Sequence, residues 1–225
     1  MTTSQPILCG LCDAPIHFRD KADPAGQAGC AACDNWADQD EIRQMVADYA
    51  KDEGQMILNR ALRDAFGTFM TGVTVVTTMD ANGRPLGFTA NSFASVSLDP
   101  ALLLVQISRN SVNYVKFTTA RGFAVNILSE GQKALSNTFA RPSEDRFAGI
   151  DWQAGPAGSP ILPDVSAWFD CSLHQVVEAG DHAILLGRVE AFHATPAPGL
   201  GYYRGTYFTP VATQGAVPTG PDIIV

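Results

Sequence analysis

The sequence predicts a mainly β protein: an antiparallel barrel, closed or partly closed, with short helices. A small N-terminal metal-binding module and connecting helices precede it. Three observations carry this expectation. Runs of β-branched and apolar residues separated by turn signals recur from Thr71 onward. Helix-period patterns dominate only the stretch between about Asp38 and Phe69. Four of the five cysteines lie within the first 33 residues, in two C-x2-C pairs.

The composition narrows the function classes. The 225 residues are 46% apolar and 17% charged, enough to bury a full core around one substantial domain. A formal net charge of −8 argues against nucleic acid or an anionic membrane as the main partner. No run of eighteen apolar residues occurs, and the N-terminus shows no basic region followed by an apolar stretch. The expected location is the cytoplasm, where structural disulfides are disfavoured.

Cys9, Cys12, Cys30 and Cys33 form C-x2-C-x17-C-x2-C, spacing suited to four thiolates around a tetrahedral metal. A segment of about 37 residues has too little core to fold alone, so a metal would supply much of its folding free energy. The pattern resembles a zinc ribbon, which favours zinc. Rubredoxin-type sites use the same paired knuckles, so iron stays open. With the shell filled by thiolates, His17 reads as a loop residue. The expected boundaries are a metal module at 1–37, a helical connector at 38–57, a barrel at 58–210 and a tail at 211–225.

In the connector, Asp38 and Glu41 have capping-box spacing. Ile42, Met45, Val46 and Tyr49 follow with the i, i+3, i+4, i+7 stripe of a helix. Gly54 is expected to break or bend it, and a second helix over about 56–69 would turn Leu58, Leu62, Ala65 and Phe69 toward the core.

In the barrel, Thr71–Thr78 reads as a strand, and Asp80-Ala-Asn-Gly83 is a hairpin turn that sends Arg84–Ala90 back antiparallel. Leu102–Ile107 is apolar enough for a strand covered on both faces. Ser111–Ala120 and Glu130–Ala140 read as helices around a strand at Gly122–Leu128. Phe147–Pro163 reads as a long surface connection. Ala167–Val176 alternates, with Phe169, Cys171 and Leu173 on one face and Asp170, Ser172 and His174 on the other. Cys171 is thus a buried apolar residue, while His174 and His193 read as surface residues. Ala183–Phe192 and Tyr202–Phe208 complete the strands. Neither G-x-G-x-x-G after a strand nor a Walker-type loop occurs.

One stretch fits neither loop nor core. Gly87–Pro100 carries Thr89, Asn91, Ser92, Ser95 and Ser97 around Phe93 and Val96. Short donors and acceptors on a closely approachable backbone suit a ligand with a polar edge and a phosphate.

Six motifs in order then carry a resemblance. They are Phe66-Gly67 to Thr77, Thr89-Ala90-Asn91-Ser92 to Pro100, Phe123-Ala124-Val125-Asn126, Asp145-Arg146-Phe147, Ala179-Gly180-Asp181-His182 and Tyr202-Tyr203-Arg204-Gly205. Over about Leu58–Phe208 the sequence resembles the flavin reductase family, whose fold is an FMN-binding split β-barrel of antiparallel, Greek-key type. The resemblance implies an NAD(P)H-dependent reductase that passes hydride from NADH or NADPH to FMN or FAD. It also implies a homodimer with the flavin site at its interface and a separate monooxygenase partner.

By the same resemblance Thr89, Asn91 and Ser92 line the ring edge with Ser95 and Ser97 nearby, and Thr74 is grouped with them. Ser108, Arg109 and Ser111 follow a strand and open a helix, which suits a phosphate. Asn126 either joins the ligand or closes the barrel. His182 is implied in the nicotinamide pocket, positioning substrate rather than moving a proton.

The N-terminal cysteines are absent from the usual small reductase of this family. Two rival readings follow: a flavoprotein passing electrons to an N-terminal iron site, or a non-catalytic flavin-binding barrel with a zinc docking module. Oxidation of a pyridoxamine-phosphate type substrate is disfavoured by Gly180-Asp181-His182.

Overall fold

The computed structural model describes residues 17–18, 28–30, 32, 35–37, 39–143 and 145–211. The chain divides into two compact units, Met1–Phe66 and Gly67–Val225.

Within the first unit, β1 (His17–Phe18), β2 (Ala28–Cys30) and β3 (Asn35–Ala37) form an antiparallel sheet in the order β1-β2-β3. Helix α1 (Gln39–Phe66) follows without interruption, so the two expected helices are one. Gly54 does not break the helix. A single interior glycine costs only about 1 kcal/mol against alanine, and the flanking Arg, Gln, Leu, Met and Ala favour helix. Gln44 donates to Asp48 and Gln55 to Asn59 one turn on, at 2.9 and 2.8 Å. Leu58, Leu62 and Ala65 were expected to face a core and are instead exposed, as is Phe69 beyond the helix.

The second unit opens with β4 (Thr71–Gly72), β5 (Thr74–Met79) and β6 (Pro85–Ala90). The expected hairpin joins the last two: Gly83 takes φ +75°, and Asp80 Oδ1 accepts the Asn82 and Arg84 amides at 2.8 and 2.9 Å. Those amide bonds, led by Arg84, hold the Asp80 carboxyl below its ordinary value. Then come β7 (Ala94–Leu98), β8 (Ala101–Ser108), α2 (Tyr114–Thr118) and β9 (Gly122–Ile127). A 3-10 turn at Glu130–Gln132 leads into α3 (Lys133–Ala140). Short strands β10 (Gln153–Ala154) and β11 (Pro160–Ile161) precede the long hairpin of β12 (Ala167–Ala179) and β13 (His182–Ala194). A final hairpin, β14 (Gly201–Tyr203) and β15 (Thr206–Phe208), joins β4.

The main sheet has seven strands in the order β6-β5-β9-β12-β13-β8-β7, paired antiparallel throughout. Its two edge strands, β6 and β7, are consecutive in sequence and joined only by Asn91–Phe93. The sheet must therefore curl until its edges approach, which leaves a split beside the short connection. Two cores fill its faces. Val76, Val105, Ile107, Phe117, Phe123, Val125 and Leu185 pack in one. Val73, Val75, Leu128, Phe139, Leu162 and Leu200 pack in the other. Alternate residues of β5 serve alternate cores, so Thr74–Thr78 is buried on both faces.

Three expectations are corrected here. β8 is covered on one face only: Leu103, Val105 and Ile107 are buried, while Leu102 and Leu104 are half-buried and Gln106 is exposed. The segment 147–163 is a surface connection only in its middle: residues 148–158 are mostly exposed, whereas Phe147 and Ser159–Leu162 at its two ends are buried. Along β12, Asp170 and Cys171 are both fully buried instead of alternating. A register shift falls between them. The 155–159 loop covers the Asp170 face, and Asp170 Oδ2 accepts the Ala157 amide at 2.6 Å. Cys171 is an apolar core residue as expected, its thiol pushed up to about 12 chiefly by burial.

Candidate functional site

The hydroxyl-rich stretch lies at the split. Thr89, one residue before the end of β6, donates to the Ser136 carbonyl at 2.6 Å, fastening the edge strand to α3. Asn91 is exposed in the connection, and Ser92 is half-buried, its Oγ accepting the Gln106 amide of β8 at 2.9 Å. On β7, Ser95 lies opposite Leu103 and Ser97 opposite Leu102, with a register shift between them. Ser95 is exposed and Ser97 half-buried. The stretch therefore runs along β8 from Leu102 toward Gln106, two residues short of Ser108.

At that end β13 pairs with β8, placing His182 directly opposite Ser108. Gly180, at φ +63°, makes the tight β12–β13 turn that brings the histidine there. The Arg109 amide donates to the Asp181 carbonyl at 2.9 Å, and the Asp181 carboxylate meets His182 Nδ1 at 2.8 Å. A carboxylate only accepts, so Nδ1 carries the hydrogen in this bond. The Ser111 amide donates to the Ser108 carbonyl at 3.0 Å, closing a turn around Arg109. Ser108, Arg109, Ser111 and His182 are thus brought into one cluster, half-buried except for the exposed Arg109. Glu178, not singled out in the sequence, joins it by an ion pair to Arg109 and a 2.7 Å bond from the Tyr114 hydroxyl. Nothing local marks Glu178; only the long β12–β13 pairing carries it to Arg109.

Helix α2 begins at Tyr114, three residues later than expected, and spans only five residues. An anion at this turn would therefore meet hydroxyls and a guanidinium rather than the dipole of a substantial helix.

Two expected ligand groups are internal. Thr74 is buried and donates to the Ala90 carbonyl at 2.9 Å, across the β5–β6 pair. Asn126 is 0% exposed. Its amide nitrogen donates to the Val75 carbonyl and Thr77 Oγ1 at 3.1 Å, and its oxygen accepts the Leu162 amide at 2.9 Å. Of the two readings open for Asn126, the structure supports the one in which it closes the barrel.

Ser108, Arg109, Ser111, Glu178 and His182 line neither of two surface depressions. One is bordered by Arg84, Gly87, Lys116 and Arg146, the other by Thr78, Arg121, Gly122 and Ser159. Burial lowers the Arg146 guanidinium from its ordinary value, and its Nη1 donates to the Gly87 carbonyl at 2.8 Å. The expected metal ligands Cys9, Cys12 and Cys33 lie outside the described residues; Cys30 stands on β2 opposite Asn35. Among the described residues, no helix is long and apolar enough to cross a membrane.

A curled antiparallel sheet, a polar seam at its split and an arginine-bearing turn locked to a histidine-bearing hairpin define a split-barrel protein with one open, polar edge. Residues 66–210 match the flavin reductase like domain, and the chain belongs to that family. It is 65% identical over 155 residues to the reductase component of a flavin-dependent trigonelline monooxygenase from Acinetobacter baylyi, covering 69% of this chain and 50% of that protein. It is 42% identical over 161 residues to an NADH:riboflavin 5'-phosphate oxidoreductase from Streptomyces pristinaespiralis, covering 70% of this chain and 92% of that one. The crystal structure of a homologue of nitrilotriacetate monooxygenase component B from Mycobacterium thermoresistibile superposes with a TM-score of 0.71 at 36% identity, covering 76% and 97% of the two chains. The chain spans about half the length of the curated relatives it matches at 64–65% identity.

Proposed function

We propose that this protein is an NAD(P)H:flavin oxidoreductase that reduces FMN or FAD and supplies the reduced flavin to a separate monooxygenase. The observation that carries the reading is the lock between two turns: His182 opposite Ser108, and the Arg109 amide on the Asp181 carbonyl. It sets the Ser108–Ser111 turn with its arginine and a histidine side by side at the end of a hydroxyl-rich edge.

The chemistry is hydride transfer from a reduced nicotinamide to the flavin ring, which needs alignment and exclusion of water rather than a nucleophile. Asn91, Ser92, Ser95 and Ser97 supply polar groups along the ring edge, with Thr89 fixing β6 beneath them. Ser108, Arg109 and Ser111 hold the phosphate. His182, oriented by Asp181, positions the nicotinamide substrate. Thr74 and Asn126 act on the fold that holds this edge.

The working form is a homodimer. Leu98 is 74% exposed and Phe192 70% exposed, and Phe192 continues a ladder through Phe169 to Phe93 with ring centroids 6.2 and 5.8 Å apart. An apolar surface of this kind beside the split suits a second copy. Cys9, Cys12, Cys30 and Cys33 form a structural zinc site in an N-terminal module that docks or orients the dimer or its partner, and the protein works in the cytoplasm.

The test is anaerobic stopped-flow mixing of protein and flavin with NADH, then NADPH, together with elemental metal analysis. Rapid bleaching of the visible flavin band with one zinc per chain is expected. Flavin bound but reduced by neither nucleotide overturns the reading, and reduction of an iron chromophore after the flavin moves it to internal electron transfer.

A further inference from the structure

We propose that Glu178 is a positioning residue whose carboxylate tempers the hold of Arg109 on a phosphate, keeping flavin nucleotide exchangeable. The inference rests on the reading of Arg109 as a phosphate ligand.

Glu178 lies two residues before the Gly180 turn, paired with Ala183 across the β12–β13 hairpin. Its carboxylate spans two partners from a different part of the chain. Oε2 pairs with Arg109 Nη2, and Oε1 accepts the Tyr114 hydroxyl at 2.7 Å. That hydrogen bond, foremost, raises the Tyr114 hydroxyl above its ordinary value, so it stays a donor. The Arg109 and Glu178 side chains are 49% and 54% exposed. Ion pairs so open to water contribute little to folding, so stability gives no reason for this carboxylate to span Arg109 and Tyr114. Its consequence falls on whatever Arg109 binds.

Two effects oppose each other there. Glu178 fixes a guanidinium fork that would otherwise sample many rotamers, which favours binding. It also sets a negative charge beside the place where the phosphate must sit. A phosphate monoester carries about −1.5 to −2 charges near neutral pH, so repulsion from an adjacent carboxylate is nearly doubled. Asp181, with its side chain 88% exposed, adds a second carboxylate to the same turn. The ordering gain concerns the rotamers of one side chain, whose backbone is already fixed by its bond to Asp181. Repulsion wins. A hairpin that pairs the Arg109 guanidinium with Glu178 and carries the Asp181 carboxylate three residues further on is built to hold a dianion loosely. That suits an enzyme whose product must leave.

Glu178→Gln tests this, because it keeps the length and leaves an amide oxygen to accept from Tyr114 while removing the charge. Dissociation constants for FMN and for riboflavin, which lacks the phosphate, are measured by flavin fluorescence in wild type, Glu178→Gln and Arg109→Gln. Glu178→Gln is expected to tighten FMN by about three- to tenfold at low salt, with riboflavin unchanged. The gain should shrink as salt rises. Arg109→Gln is expected to bring FMN down toward the affinity of riboflavin. If Arg109→Gln leaves the preference for FMN intact, the phosphate reading fails and the role of Glu178 with it. If Arg109→Gln removes the preference but Glu178→Gln leaves FMN unchanged or weaker, only the role of Glu178 is overturned. Equal weakening of both flavins by Glu178→Gln also overturns it, since that marks a merely structural residue.

Discussion

The two sides of the sheet use the same polar residue types in opposite ways. Around β5, β9 and β12, Thr74, Thr77, Thr78 and Asn126 are buried, and each side chain bonds to backbone carbonyls or amides of a neighbouring segment. Around β7, β8 and the β12–β13 turn, Asn91, Ser95 and Arg109 are exposed, and Ser97 and Ser108 are half-buried. A buried amide must spend its hydrogen bonds inside the protein, because an unmade one costs its full desolvation. At an open edge water fills the vacancy until a ligand displaces it. Composition cannot separate a clamp from a ligand group, whereas coverage by other segments can.

The largest effect that would break this comparison concerns Cys171, on the covered side. Its thiol is pushed from 9.0 up to about 12, a thousandfold smaller thiolate fraction at pH 8. Native protein should therefore react with iodoacetamide at Cys171 about a thousandfold more slowly than unfolded protein. Above pH 9 the unfolded thiol ionises while the folded one does not, so stability falls with rising pH until about pH 12. Urea melts of wild type and Cys171→Ala should diverge in that window. Fast native labelling would show the covered side to be open.

Next comes Asn126→Ala. It strands the Leu162 amide and removes donors from Val75 and Thr77, and should cost about 2–4 kcal/mol by chemical denaturation. The flavin KM of the folded fraction should hold. Wild-type stability with a raised flavin KM would move Asn126 to the ligand side of the comparison.

The smallest effect belongs to the open edge. His182→Ala should raise the nicotinamide KM by about three- to tenfold, with flavin affinity and melting temperature near wild type. Its ring is half-buried and bonds to the neighbouring Asp181, so little folding depends on it. An unchanged KM would remove His182 from the pocket.

Much of the fold was legible. The β5–β6 hairpin, the strands after it and α3 lie close to where turn signals and periodicity put them, because those patterns act locally. Misreadings arose where distant segments decide. Gly54 sits inside a continuous helix since the many Ala, Leu, Met, Arg, Gln, Glu and Lys residues around it outweigh one glycine. Asp170 looked solvent-facing by alternation, and only the 155–159 loop folding over it buries it. In the site, the hydroxyl-rich stretch, the Ser108–Ser111 turn and His182 could be found by motif. Glu178 could not, because its link to Arg109 spans 69 residues.

By itself the sequence determined the antiparallel strand class, the turn positions, the apolar fate of Cys171 and the family resemblance. Each depends on contacts within a few residues or on the hydrophobicity of one side chain. Tertiary structure alone decided which polar side chains are spent inside, which edge stays open and which carboxylate stands beside Arg109. Those outcomes depend on what packs over each face, and that is set by pairings between strands far apart in the chain.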